Sequence, residues 1–289
     1  MADAPRIDWQ DLPVDPYRTS LYTPTELYDT TPYADSLDAR TYAWSRRPPT
    51  PLATLAQALH DHAIDEALTG WITGRHLIGV MGGHDLDRSS APYADAARLG
   101  WMLGQRYVVA TGGGPGAMEA ANLGAFLSGS SRDRLAVAVA SLAAVPSFRP
   151  SVDQWEAKAF TVSDGVRGRE TLGIPTWFYG EEPPNVFATA IAKYFRNATR
   201  EAILLQVCDA GIVFLPGVAG TVQEVFQDAC ENYYAAPESV APMVLVGGSY
   251  WTRTLPAWPL LQTLARGRAM EHHVHLVDTV DEAVELMQG

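Results

Sequence analysis

The sequence predicts an α/β protein built on a doubly wound parallel sheet of about seven strands, with helices on both faces. Three observations predict it. From residue 76 onward, short apolar runs alternate with helical patterns, and several of those runs end directly in Gly or Pro-Gly. The chain of 289 residues, 47% hydrophobic and 19% charged, is long and apolar enough to bury a sizeable core.

Taken in order, residues 1 to about 52 carry Pro5, Pro13, Pro16, Pro24, Pro32, Pro48, Pro49 and Pro51, which disfavour long helices and central strands. Trp9, Tyr17, Tyr22, Tyr28, Tyr33, Tyr42 and Trp44 make the segment too aromatic for a free linker. We expect an irregular arm packed on the body or on a partner subunit. A helical stretch, TPLATLAQALHDHAIDEALTG, follows and should stop at Gly70, so 1–70 reads as arm plus helix and 71–289 as the α/β domain. The expected strands are HLIGVMG (76–82), RYVVATG (106–112), RLAVAVAS (134–141), IPTWFYG (174–180), AGIVFLPG (210–217), PMVLVGG (242–248) and VHLVD (274–278). In an open parallel sheet a ligand sits beyond the carboxyl ends of the strands, so the terminal glycines mark the working edge.

Charge narrows the function. There are 33 acidic and 21 basic side chains, a formal net charge of -12, which argues against polymeric nucleic acid and anionic membrane as partners. Lys158 and Lys193 are the only lysines. Two cysteines, Cys208 and Cys230, make neither a C-x-x-C motif nor a disulfide framework, so a reducing, cytoplasmic compartment is expected. The opening MADAPRIDWQ has no basic stretch followed by an apolar one, and no segment approaches the roughly 18 apolar residues of a membrane span.

Two glycine loops carry the chemistry. After the run ending at Ala110 comes Thr111, Gly112, Gly113, Gly114, Pro115, Gly116 and then a helical pattern. Glycines let a ligand approach main-chain N–H groups, and a helix start adds about half a positive charge, a combination suited to phosphate or carboxylate. A bare strand-to-helix turn fits the same residues. The second loop, Pro216, Gly217, Val218, Ala219, Gly220 and Thr221, also opens a helix, with Glu224 one turn further on. The spacing T-x-x-E fits a capping box and a catalytic carboxylate equally well.

Neither lysine follows a glycine, so a P-loop is excluded. A dinucleotide site wants an acid at the end of the next strand, and RLAVAVASLAAV has none, which makes a nicotinamide-linked oxidoreductase a weak alternative. A smaller, mononucleotide-sized phosphorylated ligand remains. NVFATAIAKYFRNATREAIL reads as a helix with Lys193, Arg196 and Arg200 on one side, either a solvated face or a cationic stripe before the second loop. Glu119 fits a first-turn acid favoured by the helix dipole. Gly82, His84, Asp85, Asp87 and Arg88 follow the first strand and can line a pocket, whereas His272, His273 and His275 lack the further ligands of a metal set.

YADAARLGWMLGQRYVVATGGGPGAMEAANLGAF and FLPGVAGTVQEVF closely resemble the LOG family, Rossmann-like proteins once labelled lysine decarboxylases, whose paired signatures are GGGxxGxM and PGGxGTxxE. The resemblance spans about residues 76–280, and EEPPN (181–185) is similar to the larger members that act as nucleotide 5'-monophosphate nucleosidases. The small members release cytokinin bases from riboside monophosphates. The resemblance implies hydrolysis of the N-glycosidic bond of a nucleoside 5'-monophosphate to free base and ribose 5-phosphate. It implies catalytic roles for Glu224 and Arg200, phosphate binding by Gly217, Gly220 and Thr221, and a neighbouring wall from Gly112, Gly113, Gly114, Gly116, Met118 and Glu119. Gly82 and Arg196 complete the expected site. It also implies a homodimer or higher homo-oligomer, with no metal or cofactor. Two positions depart from the pattern: Val218 replaces the second glycine, and Glu201 replaces the lysine that follows the arginine. The competing expectation is a non-catalytic nucleotide-binding sensor that keeps the pocket without the turnover.

Overall fold

The computed structural model describes residues 12–179 and 182–288. The opening MADAPRIDWQ, with Pro5 and Trp9, lies outside them, as do Gly180 and Glu181. Seven parallel strands form one sheet: β1 Leu77–Met81, β2 Val108–Thr111, β3 Thr171–Gly173, β4 Ala190–Ile191, β5 Ile212–Phe214, β6 Met243–Val246 and β7 Val274–Val277. Their order is β4-β3-β2-β1-β5-β6-β7, so the winding reverses between β1 and β5. This is a Rossmann-like doubly wound sheet; the second glycine loop leaves β5 at its switch point, and the first leaves β2, one strand beyond β1.

The helices are α1 Pro24–Leu27, α2 Leu37–Ser45, α3 Pro51–Ile72, α4 Ala91–Leu103, α5 Ala117–Phe126, α6 Arg132–Leu142, α7 Val152–Ser163, α8 Asn197–Gln206, α9 Ala219–Tyr234, α10 Ala257–Ala265 and α11 Val280–Gln288. They cover both faces because the strands alternate. Ile212, Phe214, Met243 and Leu245 enter one core, shared with the arm and with residues of α3, α8, α9 and α10. Val213, Leu215, Val244 and Val246 enter the other, shared with residues of α4, α5, α6 and α11. On the second face α4 and α5 cross with almost no gap, since a Cβ at Gly100 would lie 2.1 Å from Ala121 O and one at Gly124 1.9 Å from Ala97 O.

The arm lies against the body. Tyr22 and Ile191 exchange backbone hydrogen bonds of 2.9 Å each way, an antiparallel bridge on the β4 edge. Lys193 is buried and its ammonium meets Asp38 of α2 at 2.5 Å, while the Trp177 indole and the Tyr33 hydroxyl donate to the same carboxylate at 2.8 Å each. Burial pulls the Lys193 proton affinity below the usual lysine range, and Asp38 opposes that pull.

Five expected strands are found and two are not. RLAVAVAS is part of helix α6: Ser131 caps it by accepting from Arg134 N, and Leu135, Ala138 and Leu142 bury one helical face. The described part of IPTWFYG, 174–179, is irregular, because the strand in that region, β3, ends at Gly173, and a single bridge, Thr176 to Tyr194, follows it. The helix expected over NVFATAIAKYFRNATREAIL begins only at Asn197, and its first half supplies β4. Lys193, Arg196 and Arg200 therefore form no stripe. Helix α3 also runs past Gly70 to Ile72. No helix among the described residues is long and apolar enough to cross a membrane.

Candidate functional site

The loops after β1, β2, β3 and β5 enclose a cavity of about 340 Å³ at the carboxyl edge of the sheet. Gly82, Gly83 and His84 come from the first of these loops, Gly112, Gly114 and Met118 from the second, Pro175, Thr176, Tyr179 and Glu182 from the third. Arg200 and Glu201 of α8, with Val218, Ala219, Gly220, Thr221, Gln223 and Glu224 at the start of α9, close it.

Of the expected site residues, Gly82, Gly112, Gly114, Met118, Arg200, Gly220, Thr221 and Glu224 meet here. Gly113, Gly116 and Gly217 shape the walls from behind. Gly116 has φ +70, and a Cβ on it would lie 2.5 Å from His84 O, so only glycine fits. Gly217 packs under Thr221, whose Oγ1 a Cβ would meet at 2.1 Å. Two residues are corrected. Glu119 is fully buried and its carboxylate is bound to the buried Arg88 guanidinium, with a 2.9 Å bond to Arg88 Nε and another from the Tyr93 hydroxyl. Arg196 is exposed and lines a different groove, between α3 and α8.

The start of α9 is where an anion can be held. Its N-cap is Val218, which offers no side-chain cap, and the first turn contains no acid. Val222 N bonds to Val218 O at 3.0 Å, and the N–H groups of Ala219, Gly220 and Thr221 have no partner among the described residues. Thr221 is thus inside the first turn and not at the cap, which removes the capping-box reading of T-x-x-E. Val218 has φ -101, outside the left-handed region that calls for glycine. Its side chain stands 60% exposed at the mouth.

Arg200 is fixed by two carbonyls, donating from Nε to Ile174 O at 2.7 Å and from Nη2 to Gly112 O at 3.5 Å. No carboxylate among the described residues pairs with it, and it lines the cavity. Gly112 makes room for it, since a Cβ there would lie 2.6 Å from Arg200 Nη2 and 2.7 Å from Met118 Sδ. Burial raises the Glu224 carboxyl to about 7, with Arg200 opposing that rise and Glu201 adding to it. Its carboxylate makes no hydrogen bond to any described residue.

Three contributors escaped the sequence reading. Asn185 clamps the first glycine loop, its backbone N–H bonding Gly113 O at 2.8 Å and its amide donating to Gly114 O at 3.1 Å. Tyr179 and Gln223 line the cavity and meet on Glu201. Only Asn185 had a signal, its place in EEPPN. Among the described residues no group of three His, Cys, Asp or Glu side chains converges as a metal site.

No protein-family model matches the chain, and no curated protein matches it. Solved structures do. The molybdenum cofactor binding protein from Rippkaea orientalis is 19% identical with a TM-score of 0.44, the match covering 74% of this chain and 96% of that one. The molybdenum cofactor carrier protein from Chlamydomonas reinhardtii is 18% identical with the same TM-score and coverage. TM1055, a structural-genomics target, is 16% identical with a TM-score of 0.43, covering 74% of this chain and 98% of its own. Likeness this distant assigns no chemistry to this chain.

Proposed function

We propose that the chain hydrolyses the N-glycosidic bond of a nucleoside 5'-monophosphate. The observation that carries this is one cavity holding an uncapped helix start, an arginine without an acid partner and a carboxyl whose proton affinity lies near neutrality. The motif resemblance to the LOG family points the same way. The phosphate sits on the N–H groups of Ala219, Gly220 and Thr221, where the dipole of α9 favours negative charge. Glu224, one turn further along, faces the sugar.

In the reaction, the bond between the anomeric carbon and the base nitrogen breaks and its electron pair leaves with the base. The ionised Glu224 stabilises the oxocarbenium-like centre and accepts a proton from the attacking water, whose oxygen forms the new bond to the anomeric carbon. Arg200 stabilises the charge on the departing base, which then takes up a proton. Because Glu224 works ionised and titrates near 7, kcat/KM should rise with pH through about 7 and level off above it.

The test is release of free base and ribose 5-phosphate from a panel of purine and pyrimidine monophosphates. We expect Glu224→Ala to lose roughly 10²–10⁴-fold in kcat/KM. Saturable nucleotide binding with thermal stabilisation, and no release above the Glu224→Ala control, would establish a binding protein instead.

A further inference from the structure

The cavity is polar in two opposite senses. The start of α9 offers only N–H donors, while the wall beside Tyr179 offers acceptors. Glu201 is the centre of that wall: its Oε1 accepts from Asn197 Nδ2 at 2.6 Å and from the Tyr179 hydroxyl at 3.5 Å, and its Oε2 accepts from Gln223 Nε2. A carboxylate has about four acceptor positions, and these three donors leave one, on Oε2. Holding the Gln223 amide nitrogen on Glu201 fixes which way that amide points. Its oxygen is therefore the free end, and it has no partner among the described residues. Two acceptors, Glu201 Oε2 and the oxygen of the amide bonded to it, thus belong to neighbouring residues that line the cavity together with the half-exposed Tyr179.

Resting on the nucleosidase reading of this cavity, we propose that Glu201, Gln223 and Tyr179 select the base, favouring one that carries an exocyclic amino group over its oxo counterpart. The amino group offers two N–H donors, one for each acceptor. An oxo group offers only lone pairs to a carboxylate that cannot donate, so it meets repulsion and leaves the remaining acceptor position on Oε2 unfilled. The Tyr179 ring supplies the flat apolar surface on which a base stacks, a contact indifferent to the base's edge. A lysine at position 201 would reverse the preference, because it could donate to an oxo group.

The experiment compares matched pairs that differ in this group, adenosine with inosine monophosphate and cytidine with uridine monophosphate. Both kcat/KM for base release and Kd by calorimetry are measured, with ribose 5-phosphate as the reference ligand without a base. We expect the amino member to be favoured by about 10- to 100-fold in both pairs. Glu201→Gln, which can turn an amide N–H toward the oxo group, should bring the ratio to within about threefold, and Gln223→Leu should leave it intermediate. The two variants touch opposite halves of the acceptor pair, so misfolding of one leaves the other to report. Equal treatment of both members by the unaltered protein, or the same ratio in Glu201→Gln, overturns the proposal. So does binding of nucleotides no tighter than ribose 5-phosphate. If Kd keeps the ratio while no base is released, the nucleosidase reading fails and the base selection stands.

Discussion

Both glycine loops leave a strand, turn sharply and open a helix, yet the two helix starts are occupied differently. At α5 the first N–H is taken, since Ala117 N donates to Gly83 O at 3.0 Å, and the first turn carries its own acid, Glu119. That acid is neutralised inside the protein by Arg88. At α9 the first turn has no acid, no side chain caps it, and three N–H groups are open. A glycine-rich turn before a helix is therefore not by itself an anion site. The two starts differ in how many N–H groups are open and in whether the first turn carries an acid.

The contrast can be broken from the α5 side. Arg88→Met removes the buried guanidinium paired with the Glu119 carboxylate, and the expected loss is about 3–5 kcal/mol, read by denaturant unfolding. Gly116→Ala forces a left-handed backbone angle and a Cβ contact of 2.5 Å with His84 O, for an expected loss of about 2–4 kcal/mol in the same assay. Both changes should cost stability before they touch chemistry.

From the α9 side the effects are smaller. Asp228, one turn beyond Glu224, is buried and pushed up from 3.8 to about 8, chiefly by desolvation, with Oδ2 left without a partner. The folded chain therefore holds this proton more tightly than the unfolded one. Stability contributed by the neutral form is complete below about pH 4 and is lost progressively as pH rises through about 8. Asp228→Asn should raise the thermal midpoint at pH 9 and leave it unchanged at pH 4. A gain of roughly 1–2 kcal/mol is expected at the higher pH, less than full linkage because the surroundings relax around a buried charge. Gly220→Ala should change stability by no more than about 0.5 kcal/mol, since a Cβ there meets nothing within 4 Å and alanine favours the helix.

The difference between the loops also marks how much the sequence could reveal. Runs such as AGIVFLPG and PMVLVGG were legible because β-branched residues filled both faces of buried strands and a glycine closed them. RLAVAVAS misled because its apolar alternation fits a strand while its alanines and the Ser131 cap favour a helix. β3 and β4, three and two residues long, were too short to leave a period, and their place is fixed by neighbours instead. Glu224 and Arg200 could be placed by motif. The fate of Glu119 could not, because its partner Arg88 stands 31 residues away, and only the fold joins them.

The most direct test of this account is a crystal structure with ribose 5-phosphate bound. It should show phosphate oxygens on the N–H groups of Ala219, Gly220 and Thr221, with the anomeric carbon toward Glu224. Phosphate held instead by the loop from Gly112 to Gly116 would contradict it.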